Sequence, residues 1–172
     1  MPVVIIGILI YRGIEVFRAV PVIGIVLILS GIFLFIVDQC GKRGWIRSDT
    51  SLSRKGLFIG LFQTLSLLPG VSRSGITMAA GRLVGFSRKE STRFSFLLSI
   101  PAITGALLLV SAQADITSLS LISTLPLIAA AVTAFCVAYT VIHVFLKLIE
   151  RIGFTPFCVY QIVLGIVLLS VL

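Results

Sequence analysis

"LLPGVSRSGIT", Leu67 to Thr77, sets an arginine among a proline, two glycines, two serines and a threonine, with strongly apolar sequence on both sides. A guanidinium near the centre of a bilayer costs ~2.5–3.5 kcal/mol on insertion scales. It persists there only beside an anionic partner or a wet cavity. How the chain enters and leaves this stretch therefore decides both the fold and the task of Arg73.

The arm before it, Gly56 to Leu68, holds 13 residues, and the arm after it, Ile76 to Phe86, holds 11. At 1.5 Å per residue they reach only ~20 Å and ~17 Å, against a hydrocarbon thickness of ~30 Å. Neither crosses alone. One bent helix through the membrane and two half-helices that dip in and return are both compatible with these lengths. The charges favour the second. "DQCGKRGWIRSDTSLSRK", ahead of the first arm, carries Lys42, Arg43, Arg47, Arg54 and Lys55 against Asp38 and Asp49. "SRKESTR", after the second, carries Arg88, Lys89 and Arg93. Basic connections mark the cytoplasmic side, so "PGVSRSG" becomes the tip of a re-entrant hairpin, about residues 56–86, near mid-depth. Arg82, inside the second arm, either snorkels toward the cytoplasmic interface, the favoured reading, or faces a cavity. Gly56 with Gly60 and Gly81 with Gly85 form a GxxxG pattern in each arm, which predicts tight helix contacts.

Of the 172 residues, 58% are hydrophobic and 12% charged. A soluble domain would be about 25% charged, so the chain reads as an all-α, polytopic integral membrane protein with a single membrane domain, residues 1–172. Val20 to Val37 is a span whose Gly24, Ser30 and Gly31 allow close helix approach. Phe94 to Val110 is another, with Ser95 and Ser99 one turn apart and a bend at Pro101. "SAQADITSLSLIST" has no basic residue and reads as the outer face. Leu125 to Leu146 returns inside, ending at Lys147 and Arg151, and Phe157 to Leu172 crosses outward again. "MPVVIIGILIY" is too short to span and has no signal-peptide character; it reads as the tail of a longer span, with part of the natural amino terminus expected upstream.

The formal charge of +8 sits in short clusters between apolar runs. That pattern suits membrane lipids and the cytoplasmic face rather than nucleic acid. Cys40, Cys136 and Cys158 lack metal-ligand spacing and read as small buried hydrophobes. Trp45 reads equally well as an interfacial anchor or a loop residue.

No local carboxylate neutralises Arg73; the glutamates and aspartates lie in or beside loops. An exogenous oxyanion fits, because the guanidinium fork matches phosphate oxygens. Ser72, Ser74 and Thr77 add hydroxyl donors, while Gly70 and Gly75 let the backbone approach. The second arm begins here, so its N-terminal N–H groups and positive dipole end point at the tip. Pro69 stops the first arm. The bland alternative is that Arg73 only bonds carbonyls of another helix and pins the hairpin. Gln63, on the first arm, faces either the same cavity or a neighbouring helix. His143, the one histidine, is assigned to packing or snorkelling near the cytoplasmic end of its helix rather than to catalysis.

Gly60 to Ile103, "GLFQTLSLLPGVSRSGITMAAGRLVGFSRKESTRFSFLLSIPAI", closely resembles a signature region of the bacterial undecaprenyl-pyrophosphate phosphatases, the bacitracin-resistance family. The PGxSRSxxT core stands at Pro69, Gly70, Ser72, Arg73, Ser74 and Thr77, followed by the equally typical RFSFLLSIPA. The resemblance implies a plasma-membrane hydrolase that removes the terminal phosphate of undecaprenyl pyrophosphate. It would thereby recycle the carrier lipid for peptidoglycan synthesis and cell-wall biogenesis, and confer bacitracin resistance. It also implies an inverted-repeat architecture with two re-entrant hairpins and a pocket open to the periplasmic side. Arg73 would stabilise the pyrophosphate, Ser72, Ser74 and Thr77 would line the catalytic pocket, and Gly70, Gly75 and Gln63 would contribute to substrate binding. A divalent cation, Mg²⁺ or Ca²⁺, is the cofactor the family implies, and a homodimer is compatible with the pattern.

The chain departs from the family at one point. The glutamate-rich stretch and the serine/histidine loop of the family's other hairpin have no counterpart, so no residue here is assigned as a metal ligand. What is present resembles the carboxy-terminal two-thirds of a member, and the expectation is little phosphatase activity from this polypeptide alone. A lipid-phosphate transporter or flippase with the same anion site, and a remnant without function, are the competing readings.

Overall fold

The computed structural model describes residues 19–40, 51–113 and 124–171. The amino-terminal "MPVVIIGILIY", Trp45 and most of the basic connection after Asp38 lie outside them, as does the connection read as the outer face. The described residues are helical, without strands, in six α-helices. These are α1 (Val20–Cys40), α2 (Leu52–Phe62), α3 (Arg73–Leu83), α4 (Arg88–Gln113), α5 (Thr124–Ile152) and α6 (Thr155–Ser170), with a 3₁₀ turn, Gln63–Leu67, continuing α2. Three of them, α1, α4 and α5, are long and apolar enough to cross a membrane. The 16 residues of α6 make a shorter apolar helix.

Apolar side chains cover most of the outside: Leu97, Leu107, Phe135, Tyr139 and Val163 all face outward. In water this surface would drive aggregation; against acyl chains it costs nothing. The chain is an integral membrane protein.

Because lipid offers no hydrophobic drive for helices to associate, backbone proximity and van der Waals packing must hold them. The α1–α6 crossing does so through glycines. A Cβ on Gly165 would lie 2.7 Å from the Gly24 carbonyl, and one on Gly24 3.1 Å from the Gly165 carbonyl. Gly31 meets the Cys158 carbonyl in the same way further along. Gly24 and Gly31 thus have the role their positions predict, with Gly165 as the partner.

The hairpin arms α2 and α3 are 11 residues each. Their outer ends share one level: the Lys55 ammonium, early in α2, sits 5.8 Å from the centre of the Phe86 ring, just beyond α3. Phe86 in turn packs on Phe94 of α4. The tip packs on α1. Gly70 has φ +95°, and a Cβ there would lie 2.7 Å from the Ile23 carbonyl, so glycine is required both by conformation and by space.

Several boundaries differ from the sequence reading, two of them because a serine caps the helix earlier. Helix α3 starts at Arg73 rather than Ile76, since Ser72 caps it: the Ser72 hydroxyl oxygen accepts the Gly75 N–H at 3.2 Å. Helix α4 starts at Arg88 rather than Phe94, through a capping box in which the Ser87 N–H donates to Glu90 Oε2 at 2.8 Å and the Glu90 N–H to Ser87 Oγ at 3.2 Å. The second-arm GxxxG divides in function. Gly81 presses on Ser91, its imagined Cβ 2.8 Å from the hydroxyl, but Gly85 (φ 89°) ends the helix instead of packing it.

Candidate functional site

Arg73 is the first residue of α3, half-buried, with its side chain toward α4. One Nη donates to the Ser99 carbonyl at 3.2 Å. Ser99 lies three turns along α4 from Arg88, ~17 Å at 1.5 Å per residue, so the guanidinium sits near mid-depth if Arg88 marks the basic surface. Among the described residues Arg73 meets no carboxylate. The pinning contact therefore exists, but it occupies one donor of a group that carries five. The start of α3, half-buried Ser72 and Ser74, and the remaining guanidinium donors lie together at the tip. The arrangement favours an oxyanion.

The other sequence-predicted residues fall into two groups. Thr77 is buried and faces α4: its hydroxyl lies 2.6 Å from that of Ser95 and 2.9 Å from the Arg73 carbonyl. It locks the first turn of α3 to α4, which orients Arg73 and leaves no donor for a ligand. Gly75 is buried where the Ser72 cap folds over it, 3.5 Å from Phe157 for an added Cβ. Gly70 sets the tip against α1. Ser72 spends an acceptor on its cap and keeps its hydroxyl proton, while Ser74 contributes its carbonyl to the Thr77–Ser95 cluster. Gln63 is fully buried where α2 tightens into the 3₁₀ turn, and its Nε2 finds no partner among the described residues. An amide donor held dry and unbonded is costly, about 1–3 kcal/mol, and marks a position where a polar group or water belongs.

A second buried polar cluster lies at the opposite end of α3, and it corrects two sequence expectations. Asp38, read as a loop acid, is only 1% exposed at the end of α1. It receives Arg88 in a bidentate pair, Nε and Nη2 each at 2.8 Å, and the Phe154 N–H at 3.4 Å. Arg82 does not snorkel; it is 7% exposed, 3.4 Å from Asp38 Oδ1, and donates to the Phe86 carbonyl at 2.8 Å. The cluster joins α1, α3, α4 and the start of α6. The cysteines divide as well: Cys158 is buried in the core as expected, but Cys40 and Cys136 are exposed. His143 is outward-facing and stacks on Tyr139, ring centres 6.5 Å apart. Gln161 of α6 was missed altogether; it is buried with Oε1 unbonded, and a polar residue inside an apolar run was its signal.

The described residues hold no group of three His, Cys, Asp or Glu side chains that could bind a metal. Around Arg73 the donors are hydroxyls, carbonyls and an amide, with a cation in their midst. Mg²⁺ and Ca²⁺ bind through carboxylates, and this set does not fit them.

These features define an integral membrane protein with a pair of short helices whose connecting tip carries a half-buried arginine with hydrogen-bond donors to spare. Residues 1–167 match the family model of bacitracin resistance protein BacA. The chain is 42% identical over 170 residues to an undecaprenyl-diphosphatase of Chromohalobacter salexigens, covering 98% of this chain and 63% of that relative. It belongs to the bacitracin resistance protein family, and it spans about 63% of the length of that curated relative.

Proposed function

We propose that this protein takes part in hydrolysing undecaprenyl pyrophosphate to undecaprenyl phosphate and inorganic phosphate, and that it contributes the charge-stabilising half of the site. The carrying observation is Arg73 at the tip, bonded to the Ser99 carbonyl three helical turns from Arg88, with donors to spare and no carboxylate beside it among the described residues. In the reaction an oxygen nucleophile attacks the terminal phosphorus and the bond to the bridging oxygen breaks. Negative charge then builds on the departing lipid monophosphate. A guanidinium held by the Ser99 carbonyl and oriented by the Thr77–Ser95 lock stabilises that charge without reorganising. Ser72 and Ser74 donate to the remaining phosphate oxygens. Among the described residues neither has a histidine or carboxylate bonded to it as a base, so in this reading other groups activate the nucleophile. A divalent cation would polarise the phosphoryl oxygens, but the donors here give it no seat.

The test is phosphate release from a prenyl pyrophosphate by the purified protein, with Mg²⁺ or Ca²⁺, beside pyrophosphate binding under the same conditions. Binding that depends on Arg73, with turnover far below that of a full-length relative, is the expected result. Transbilayer movement of the lipid without phosphate release would instead favour the flippase reading, and absence of any pyrophosphate binding would sink both.

A further inference from the structure

Helices α3 and α4 meet along one seam with a four-residue rhythm. Arg73, Thr77 and Gly81 follow one another on α3, and they lie against Ser99, Ser95 and Ser91 of α4, taken in the opposite direction. An Arg73 Nη donates to the Ser99 carbonyl at 3.2 Å, and the Thr77 and Ser95 hydroxyls are 2.6 Å apart. At the third step a Cβ on Gly81 would lie 2.8 Å from the Ser91 hydroxyl oxygen and 3.1 Å from the Ser91 Cα. The α3 side chain grows along the seam, from glycine through threonine to arginine. We propose that Gly81, through its contact with Ser91, is a positioning residue for Arg73: it sets the spacing and register of α3 on α4, ~12 Å from the residue that binds the anion.

The hydroxyls alone do not select this register. Serines recur every four residues on α4, so a slide of one turn, ~5.4 Å, would set Thr77 against Ser91. The Ser91 hydroxyl is buried and has no hydrogen-bond partner among the described residues, so it would accept that pairing. The turn at residues 84–87 limits the slide, and Gly81 excludes it by space. Where α3 presses on Ser91 there is room for a hydrogen and none for a methyl, still less for threonine. Glycine at a membrane helix crossing brings the two backbones together in this way.

The far end of the seam has no slack. At 3.2 Å the Arg73–Ser99 bond is at the long limit of N–H···O distances. A methyl on Gly81 must move the Ser91 backbone, and a shift of only ~0.5 Å at the tip takes the Ser99 carbonyl out of hydrogen-bond range. An anchored guanidinium meets an anion already in place, whereas a released one must first give up its rotamer freedom. This proposal deepens the reading of Arg73 as the pyrophosphate-binding group, and rests on it.

Affinity for farnesyl pyrophosphate is measured on the purified protein in micelles, with melting temperature on the same samples. Gly81→Ala should bind about fivefold more weakly than the wild type. Ser91→Gly opens the contact instead of crowding it, and should bind about twofold more weakly; it carries the test if Gly81→Ala does not fold. The double variant Gly81→Ala/Ser91→Gly, with room restored, should recover most of the loss. In an Arg73→Ala background Gly81→Ala should lower affinity no further, because it acts through the guanidinium. Gly31→Ala crowds the α1–α6 crossing in a similar way, and should lower the melting temperature without this loss of affinity. Full affinity in both Gly81→Ala and Ser91→Gly, or equal losses in Gly31→Ala and Gly81→Ala, would overturn the proposal while Arg73→Ala still binds weakly. An Arg73→Ala protein that binds as tightly as the wild type would overturn the pyrophosphate reading itself, and this proposal with it.

Discussion

Arg73 and Arg82 stand at opposite ends of the same 11-residue helix, in the same apolar sequence, and they do different things. Arg82 is buried in a cluster with Asp38, Arg88 and the Phe154 N–H. Arg73 is half-buried, touches one carbonyl, and has no carboxylate among the described residues. The lesson is that an intramembrane arginine is assigned by what surrounds it. One end of α3 is stitched to three other helices, whereas the other end holds its cation in reserve.

The largest expected effect breaks the stitched end. Asp38→Ala leaves two guanidiniums near each other without their carboxylate, and removing one partner of a buried pair costs about 3–5 kcal/mol. Unfolding in mixed micelles should register that loss, and Arg73→Ala should cost far less in the same assay. Gly70→Ala tests the tip: the residue sits at φ +95° against the Ile23 carbonyl, and strain with overpacking should cost about 1–3 kcal/mol, lowering pyrophosphate affinity as the tip lifts from α1. A melting temperature equal to that of the wild type would contradict this packing.

Thr77→Val comes next. It removes a hydroxyl from the Ser95 pair, a loss of about 1–3 kcal/mol if the Ser95 hydroxyl is left unpaired. The Thr77→Val/Ser95→Ala double variant should lose less than the sum of the two single changes. Strict additivity would mean that the two hydroxyls do not communicate. The smallest effect is at the cap: Ser72→Ala should cost ~1 kcal/mol and Ser72→Gly only a few tenths. Equal losses from both would show that the hydroxyl serves a ligand rather than the Gly75 N–H.

Much of the hairpin end was legible because its signals are local. Short arms, basic residues at both outer ends, and Pro69, Gly70 and Ser72 at the turn lie within one stretch of chain. The spans were equally plain, as unbroken apolar runs have few alternatives to crossing a bilayer. The stitched end was hidden. Asp38 meets Arg82 and Arg88 from 44 and 50 residues away and Phe154 from 116, and no pattern in the sequence ties an acid at the end of one span to a turn before another. Helix starts shifted for a related reason: Ser72 and Ser87 cap by hydrogen bonds to residues three positions on, which moved α3 and α4 ahead of where hydrophobicity alone begins them. Thr77 was identified as a site residue, but its inward direction followed only from where α4 packs.

The most direct test of Arg73 as the anion-binding group is pyrophosphate affinity of the purified protein, compared between wild type and Arg73→Ala, with unfolding measured on the same samples. Loss of at least about tenfold in affinity, ~1.4 kcal/mol, with stability nearly unchanged, is the predicted result. Unchanged affinity, or an Arg73→Ala protein as unstable as Asp38→Ala, would contradict it and leave Arg73 as a pin.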